Sequence, residues 1–539
     1  MMSKHPAWIA LLSASAGFAC STPDVTESPT NDTFTTKCAA IASQLSIEHG
    51  TVHFSQFVSA GTNLTFPDKH PECFPAAIEV VADMCRVALA VATTNSSGLT
   101  MEAWLPSNWT GRFLTSGNGG LDGCIKYEDM VYATSLGFAS IGTNNGHHGS
   151  SGLPFLNSPE VVEDFAYRAV LTGTVVGKEI SKTFYGKEHD KSYYFGCSTA
   201  GRQGFKMAQD YPEEFDGFVT GAPAVAFSNL TSWSGHFYNI TGPPGSPTFV
   251  TRAQWAIVHQ DVLKQCDMQD GLADGILEYP YACQYDPSGL VCSEGSNTTT
   301  CLTPLQVETV KGVHAPLLND YGDLVYPRLA PGAELAAAPI LLAGNIFPYS
   351  VDFFRYAIYN DPSWSPYTLN GTDYDNAARL NPFNIQTWEG DLSGVNNRGA
   401  KVLHWHGAED PIISSEISPL YYKHVSSTMR LSPEELDSFY RYFTISGLDH
   451  CNGGTGAHAI GQGIGQVNSL DPKENILMAI VDWVENGNAP ETVVGTKFVN
   501  NTESAGIEFQ RAHCKYPKRN QYKGTGDSNV IESWECVDP

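Results

Sequence analysis

The sequence predicts an α/β fold: a mostly parallel sheet with helices on both faces, interrupted by one large insertion. Three observations predict it. Apolar strand-like runs alternate with helical patterns through much of the chain, and that alternation buries a parallel sheet between two helical layers. The stretch Tyr193-Tyr194-Phe195-Gly196-Cys197-Ser198-Thr199-Ala200-Gly201-Arg202-Gln203-Gly204 reads as a buried strand turning sharply into a helix, with a serine at the apex. From 226 to 395 the rhythm changes, and prolines, glycosylation sequons, cysteines and aromatic residues crowd together. With 539 residues the chain exceeds one simple layer. It divides into a leader at 1–19, a core at 20–225 and 396–539, and an inserted lid at 226–395.

The leader carries Lys4 and His5, an apolar run from Ala7 to Leu12, and small residues from Ser13 to Ala19, the pattern of a secretory signal. No later stretch is apolar enough to span a bilayer. A formal net charge of −26 makes nucleic acid or an anionic membrane a poor partner. Of 13 cysteines, Cys20 adjoins the leader, and the even remainder suggests disulfides in an oxidising compartment. Proximity pairs Cys266 with Cys283, Cys292 with Cys301 and Cys514 with Cys536. Nine N-x-S/T sequons, at Asn31, Asn63, Asn95, Asn108, Asn229, Asn239, Asn297, Asn370 and Asn500, agree with passage through a glycosylating compartment.

Residues 20–90 alternate apolar positions and read as strands and short helices, and 101–106 as a strand ending at a proline. Gly117-Asn118-Gly119-Gly120 follows an apolar strand. Its backbone N–H groups, at Gly119 or Gly120, can face a developing oxyanion, where a side chain would block close approach. The strand at 138–142 leads to a polar loop with His147 and His148. Adjacent histidines point apart and lack further metal ligands, so the loop is structural. Residues 160–182 are helical, and 193–204 form the elbow, where the Thr199 N–H is a second oxyanion donor. Gly196 and Ala200 are small because strand and helix backbones meet there.

Within the insertion, Cys266-Asp267-Met268-Gln269-Asp270-Gly271-Leu272-Ala273-Asp274-Gly275-Ile276 sets three aspartates among glycines, a composition suited to a hard cation but not to an EF-hand spacing. The insertion's aromatics, among them Trp233, Phe237, Tyr238, Phe347, Tyr349, Phe353, Phe354, Tyr356 and Trp364, can line a slot for a phenolic group, although most suit the lid's own core. After it, 401–411 reads as a strand ending in a glycine turn with Asp410. His404 and His406 share one face of that strand and lack a third ligand. Residues 439–445 form the strand leading to Asp449-His450-Cys451. Asn475 to Asn486 is an amphipathic helix, and a polar tail follows.

The chain order Ser198, Asp410, His450 is that of α/β-hydrolases. Asp449 is the rival acid, but immediate neighbours rarely meet well side chain to side chain. Cys197 precedes Ser198 and Cys451 follows His450; were the two bonded, with Cα atoms about 5.5–6 Å apart, serine and histidine would be brought together.

Cys-Ser, a distant Asp and His-Cys together resemble the fungal tannase and feruloyl esterase family, most closely its secreted type B feruloyl esterases, along almost the whole chain. The resemblance implies an α/β-hydrolase core with an inserted lid and the disulfides Cys38–Cys85, Cys73–Cys124 and Cys197–Cys451. It also implies a structural Ca2+ held by Asp267, Asp270, Asp274 and the carbonyls of Leu272 and Ile276. The implied activity is extracellular serine-esterase release of hydroxycinnamic acids (ferulic, p-coumaric, caffeic) from plant cell-wall polysaccharides or small esters. Tannase action on galloyl esters, chlorogenate hydrolysis, a serine carboxypeptidase and a catalytically dead, calcium-stabilised glycoprotein are the alternatives. No nucleotide-binding glycine loop occurs in a credible context, and no redox cofactor is expected.

Overall fold

Residues 30–295 and 299–539 are described by the structure, a computed structural model. The leader, Cys20, Asn297 and the side chain of Asn31 lie outside the described residues. Nine strands build the main sheet: β1 (Gly50–Val58), β2 (Met84–Ala92), β3 (Gly98–Pro106), β4 (Arg112–Ser116), β5 (Ala139–Thr143), β6 (Lys191–Cys197), β7 (Gly217–Gly221), β8 (Lys401–Gly407) and β9 (Tyr440–Ile445). Their spatial order is β1-β2-β3-β5-β4-β6-β7-β8-β9. Every pair from β5 to β9 is parallel, whereas β1–β2, β2–β3 and β3–β5 are antiparallel. The sheet is therefore mixed. The connection between β2 and β3 is too short for a crossover and permits only a hairpin.

Helices cover both faces. They include α1 (Thr30–Gln44), α2 (Tyr127–Ser135), α3 (Ala169–Tyr185), α4 (Thr199–Asp210), α5 (Phe227–Thr241), α6 (Arg252–Cys266), α7 (Ile417–Met429) and α8 (Ile476–Asn486). On one face α1 and α3 set Cys38, Ile41, Val176 and Ile180 against Val87, Leu105 and Ile141. On the other, Tyr132 of α2 and Ile480 and Trp483 of α8 pack on Leu114, Tyr193, Val219 and Leu403. Asn475 caps α8 by accepting the Met478 N–H, and Gly487, at φ +79°, ends it. Truncating a fully buried residue such as Ile480 to alanine would cost about 2–5 kcal/mol.

Between β7 and β8 the chain leaves the sheet and forms a large, mainly helical insertion. Its aromatic core (Trp233, Phe237, Tyr326, Phe353, Phe354) is continuous with the layer of α4 and α7. After α8, two antiparallel strand pairs, Thr492–Phe498 with Ile507–Cys514 and Arg519–Tyr522 with Trp534–Val537, return to the insertion. There Arg511 bonds Glu278 and, at 3.2 Å, Asp274, while Asn520 Nδ2 donates to Glu278 at 2.9 Å. Disulfides join Cys38–Cys85, Cys73–Cys124, Cys197–Cys451, Cys266–Cys283, Cys292–Cys301 and Cys514–Cys536. Among the described residues no helix is long and apolar enough to cross a membrane.

Candidate active site

Ser198 stands where β6 ends and α4 begins, with φ +70° and ψ −127°. A non-glycine residue persists at positive φ only where its surroundings over-determine it, at a strain of order 1–3 kcal/mol. Here they do. The Ser198 N–H donates to Gly221 O, and Ser198 O accepts from Ala224 and Arg202, each at 3.0 Å. A side chain at Gly196 would collide with Ala200, and one at Gly201 with the carbonyl of Gly221 and with Pro223. The hydroxyl thus sits at the positive end of α4, beside N–H groups left unpaired by the helix's first turn.

Asp410 follows β8 and is fully buried. Its Oδ1 accepts the N–H groups of Ile412 (3.0 Å) and Ile413 (2.9 Å). Its Oδ2 accepts His450 Nδ1–H at 2.6 Å, so the imidazole is anchored on Asp410 and its Nε2 is left as the basic nitrogen. Burial alone would push the Asp410 carboxyl up, but the charge of His450 and hydrogen bonds from His406 and His450 hold it well below the usual carboxylate range. Asp449 does the opposite: burial and the neighbouring Asp410 charge push it up to about 6. Cys197 and Cys451 are bonded with Cα atoms 6.0 Å apart, so the residue before the serine is joined to the residue after the histidine.

The Gly117–Gly120 loop lies against α4. Thr199 Oγ1 donates to Gly120 O at 2.7 Å, and Gln203 Oε1 accepts the Asn118 N–H at 2.9 Å. Asn118 Nδ2 is spent on the carbonyls of Cys124 (2.8 Å) and Thr143 (2.7 Å). His147 Nε2 bonds Leu121 O at 2.8 Å and so bolts the same loop from behind. Gly120, at φ +48°, borders the cleft beside Ser198 and Thr199, whereas a side chain at Gly119 would point toward Lys126.

That cleft is walled by Phe227, Leu230 and Ser234 of α5, Phe347 and Tyr349 of the insertion, and Ile412 and Ile413. Of the insertion's aromatics, Trp233, Phe237, Phe353 and Phe354 are core residues instead. The α5 wall and the two isoleucines were invisible in the sequence, because apolar periodicity marks burial without saying against what. A larger cavity of about 600 Å3 lies over β1–β3, lined by Arg86, Glu102 and Tyr127, and contains none of these groups. Chemistry, not size, identifies the site.

The aspartate-rich loop is buried at Asp267 and Asp270, and Asp267 Oδ1 and Asp270 Oδ2 have no hydrogen-bond partner. Burial, then the charges of Glu278, Asp274 and Asp267, push the Asp270 carboxyl up to about 7. Asp274 Oδ1 accepts the Ile276 N–H at 3.1 Å, and its Oδ2 takes Arg511. Among the described residues no three Asp, Glu, His or Cys side chains cluster as metal ligands, so a cation here would draw on backbone carbonyls as well. Two orphaned, buried carboxylate oxygens fit such an ion. Of the sequons, Asn63, Asn95, Asn108, Asn239, Asn370 and Asn500 are exposed and Asn229 is half-buried.

A family model described as "Tannase and feruloyl esterase" matches residues 85–345 and 349–537. The chain is 51% identical over 506 residues to a probable feruloyl esterase B-2 of Aspergillus terreus, covering 94% of this chain and 96% of that one. The crystal structure of feruloyl esterase B from Aspergillus oryzae superposes with a TM-score of 0.92 at 48% identity, covering 94% of this chain and 100% of that one. Tannin acyl hydrolase from Aspergillus niger shares the fold, with a TM-score of 0.74 at 21% identity over 93% and 95% of the two chains.

Proposed function

Since this chain belongs to the tannase and feruloyl esterase family and is a serine esterase, we propose that it releases hydroxycinnamic acids from their esters through an acyl-enzyme on Ser198. The observation that carries the reading is the 2.6 Å bond from His450 to buried Asp410, with His450 tied by Cys451–Cys197 to the strained serine.

Ser198 Oγ attacks the ester carbonyl carbon while His450 Nε2 takes its proton. Asp410 keeps Nδ1 protonated and stabilises the imidazolium. The tetrahedral oxygen is met by the N–H of Thr199 and that of Gly119 or Gly120; Gly120 is favoured because it borders the cleft. His450 then protonates the alcohol oxygen as the C–O bond breaks. Water, activated by the same nitrogen, releases the acid and restores Ser198.

A planar phenolic acyl group suits a cleft lined by Phe347 and Tyr349. The cleft holds only about 40 Å3, far below the ~300–1,000 Å3 of typical ligand sites, so substrate entry requires these side chains to move. The alcohol side would be a plant cell-wall sugar or a small alcohol. Secretion agrees with six disulfides and exposed sequons. In the insertion, Asp267 and Asp270 with the carbonyls of Leu272 and Ile276, and Asp274 at the edge, would hold a structural Ca2+ that neutralises the packed carboxylates. Turnover of methyl ferulate, methyl caffeate and methyl gallate, with Ser198→Ala as control, tests the reading. Preference for the two cinnamates supports it, and preference for the gallate would move the assignment to tannase.

A further inference from the structure

Strand β8 carries two histidines that the mechanism above does not use, and they are not idle. His406 Nε2 lies 3.2 Å from Asp410 Oδ2 and 3.3 Å from Ile413 O. His406 Nδ1 lies 2.6 Å from Ser418 Oγ at the start of α7, and Ser418 Oγ lies 2.8 Å from His404 Nε2. His404 Nδ1 lies 2.9 Å from the hydroxyl of Tyr440 on β9. All five of these residues are buried, and Asp410, His404, His406, Ser418 and Tyr440 expose none of their surface.

With one proton on each ring, the partners fix the direction of every hydrogen bond in this series. Both acceptors at His406 Nε2, a carboxylate and a carbonyl, lack hydrogens, so Nε2 carries the proton and Nδ1 accepts. Ser418 therefore donates to His406 Nδ1 and must accept from His404 Nε2–H. His404 Nδ1 is then an acceptor, filled by Tyr440 O–H. Burial, then the neighbouring His406, hold the His404 imidazole well below its ordinary range, which suits a ring carrying one proton. The result is a one-way series, Tyr440 to His404 to Ser418 to His406 to Asp410, ending on the same carboxylate oxygen that holds His450.

We propose that His406, locked in one tautomer by Ser418, His404 and Tyr440, is a positioning residue that clamps Asp410 Oδ2 and limits its pull on the His450 proton. The proposal rests on the Ser198–Asp410–His450 reading. With the donor in place, Asp410 has both oxygens doubly bonded to N–H groups and one available orientation. Without it, Oδ2 is held by His450 alone, and a less satisfied carboxylate stabilises the imidazolium more strongly. Asp449 and Tyr326 are the other titratable groups that face Asp410.

The test compares wild type with His406→Leu, His406→Gln and Ser418→Ala on methyl ferulate, recording kcat, KM and the pH profile of kcat/KM. Leucine removes the donor, whereas the glutamine amide nitrogen can stand where Nε2 stood. The rate loss is one of orientation: a carboxylate free to turn lets the His450 ring wander, and a misplacement of ~1 Å costs up to about a hundredfold, so H406L should lose about 10- to 100-fold in kcat, with KM little changed. The acid limb should move to higher pH, because His450 becomes easier to protonate. H406Q should recover most of the rate and the wild-type limb. S418A removes a single buried oxygen and should shift both readouts the same way by less, so it decides the matter if H406L does not fold. Wild-type kcat and acid limb in H406L or S418A, or an H406Q no better than H406L, overturns the proposal. A parallel Ser198→Ala separates the two ideas: an inactive S198A beside a normal H406L removes only the clamp, whereas an active S198A removes the triad.

Discussion

Replacing Cys197 and Cys451 together by alanine tests the central geometry without leaving a free thiol. The bond spans 254 residues, and chain-entropy reasoning assigns a closure of that length about 5 kcal/mol. Spread over an unfolding entropy of roughly 1 kcal/mol/K for a chain this long, that lowers Tm by only about 5 °C. The double variant should therefore still fold. Its activity should fall far more than its stability, because Ser198 and His450 sit on separate loops, and a relaxation of ~1 Å costs about a hundredfold in rate. The assay is methyl ferulate hydrolysis at least 15 °C below the variant's measured Tm, where wild type and variant are equally folded. A variant whose kcat stays within twofold of wild type would refute the argument that the bond serves the catalytic distance.

Asp410→Asn should reduce kcat about 10^3- to 10^4-fold with little change in fold, since the amide cannot hold His450 in the required tautomer; steady-state kinetics with circular dichroism checks it. Glu409 is buried, and burial, reinforced by the charges of Asp449 and Glu334, pushes it up to about 8 from an ordinary 4.5. A carboxyl so raised binds its proton more tightly when folded, so its effect on stability worsens as pH rises from about 4.5 to 8, by at most about 5 kcal/mol. Glu409→Gln should accordingly raise Tm more at pH 8 than at pH 5, and an equal change at both would contradict this. For the cation, wild-type Tm should fall by about 3 °C when a chelator removes an ion held at a hundred times its Kd, and Asp267→Ala/Asp270→Ala should show no such fall.

Much of the site was readable because its residues answer local demands. Ser198 lies between small residues that only a tight strand-to-helix turn requires, and Asp410 follows an apolar strand at a glycine turn. Other features depend on distant partners. Gly120 rather than Gly119 borders the cleft because of its positive φ and its approach to Tyr349, a residue of the insertion. His404 and His406 read as strand residues because their partner Ser418 belongs to a helix with no sequence mark of the contact. The antiparallel edge was missed for a related reason: alternating apolar residues give a strand its faces but not the direction of its neighbour.

The pairing of Arg511 and Asn520 with Glu278 and Asp274 gives this fold a timetable. The insertion leaves the ribosome long before the strands that brace it, and two of its acidic side chains wait for an arginine more than two hundred residues downstream. A nascent chain halted before that arginine would carry a complete sheet beneath an unbraced cover. Pulse-labelled intermediates should therefore resist protease in the core first and in the insertion last.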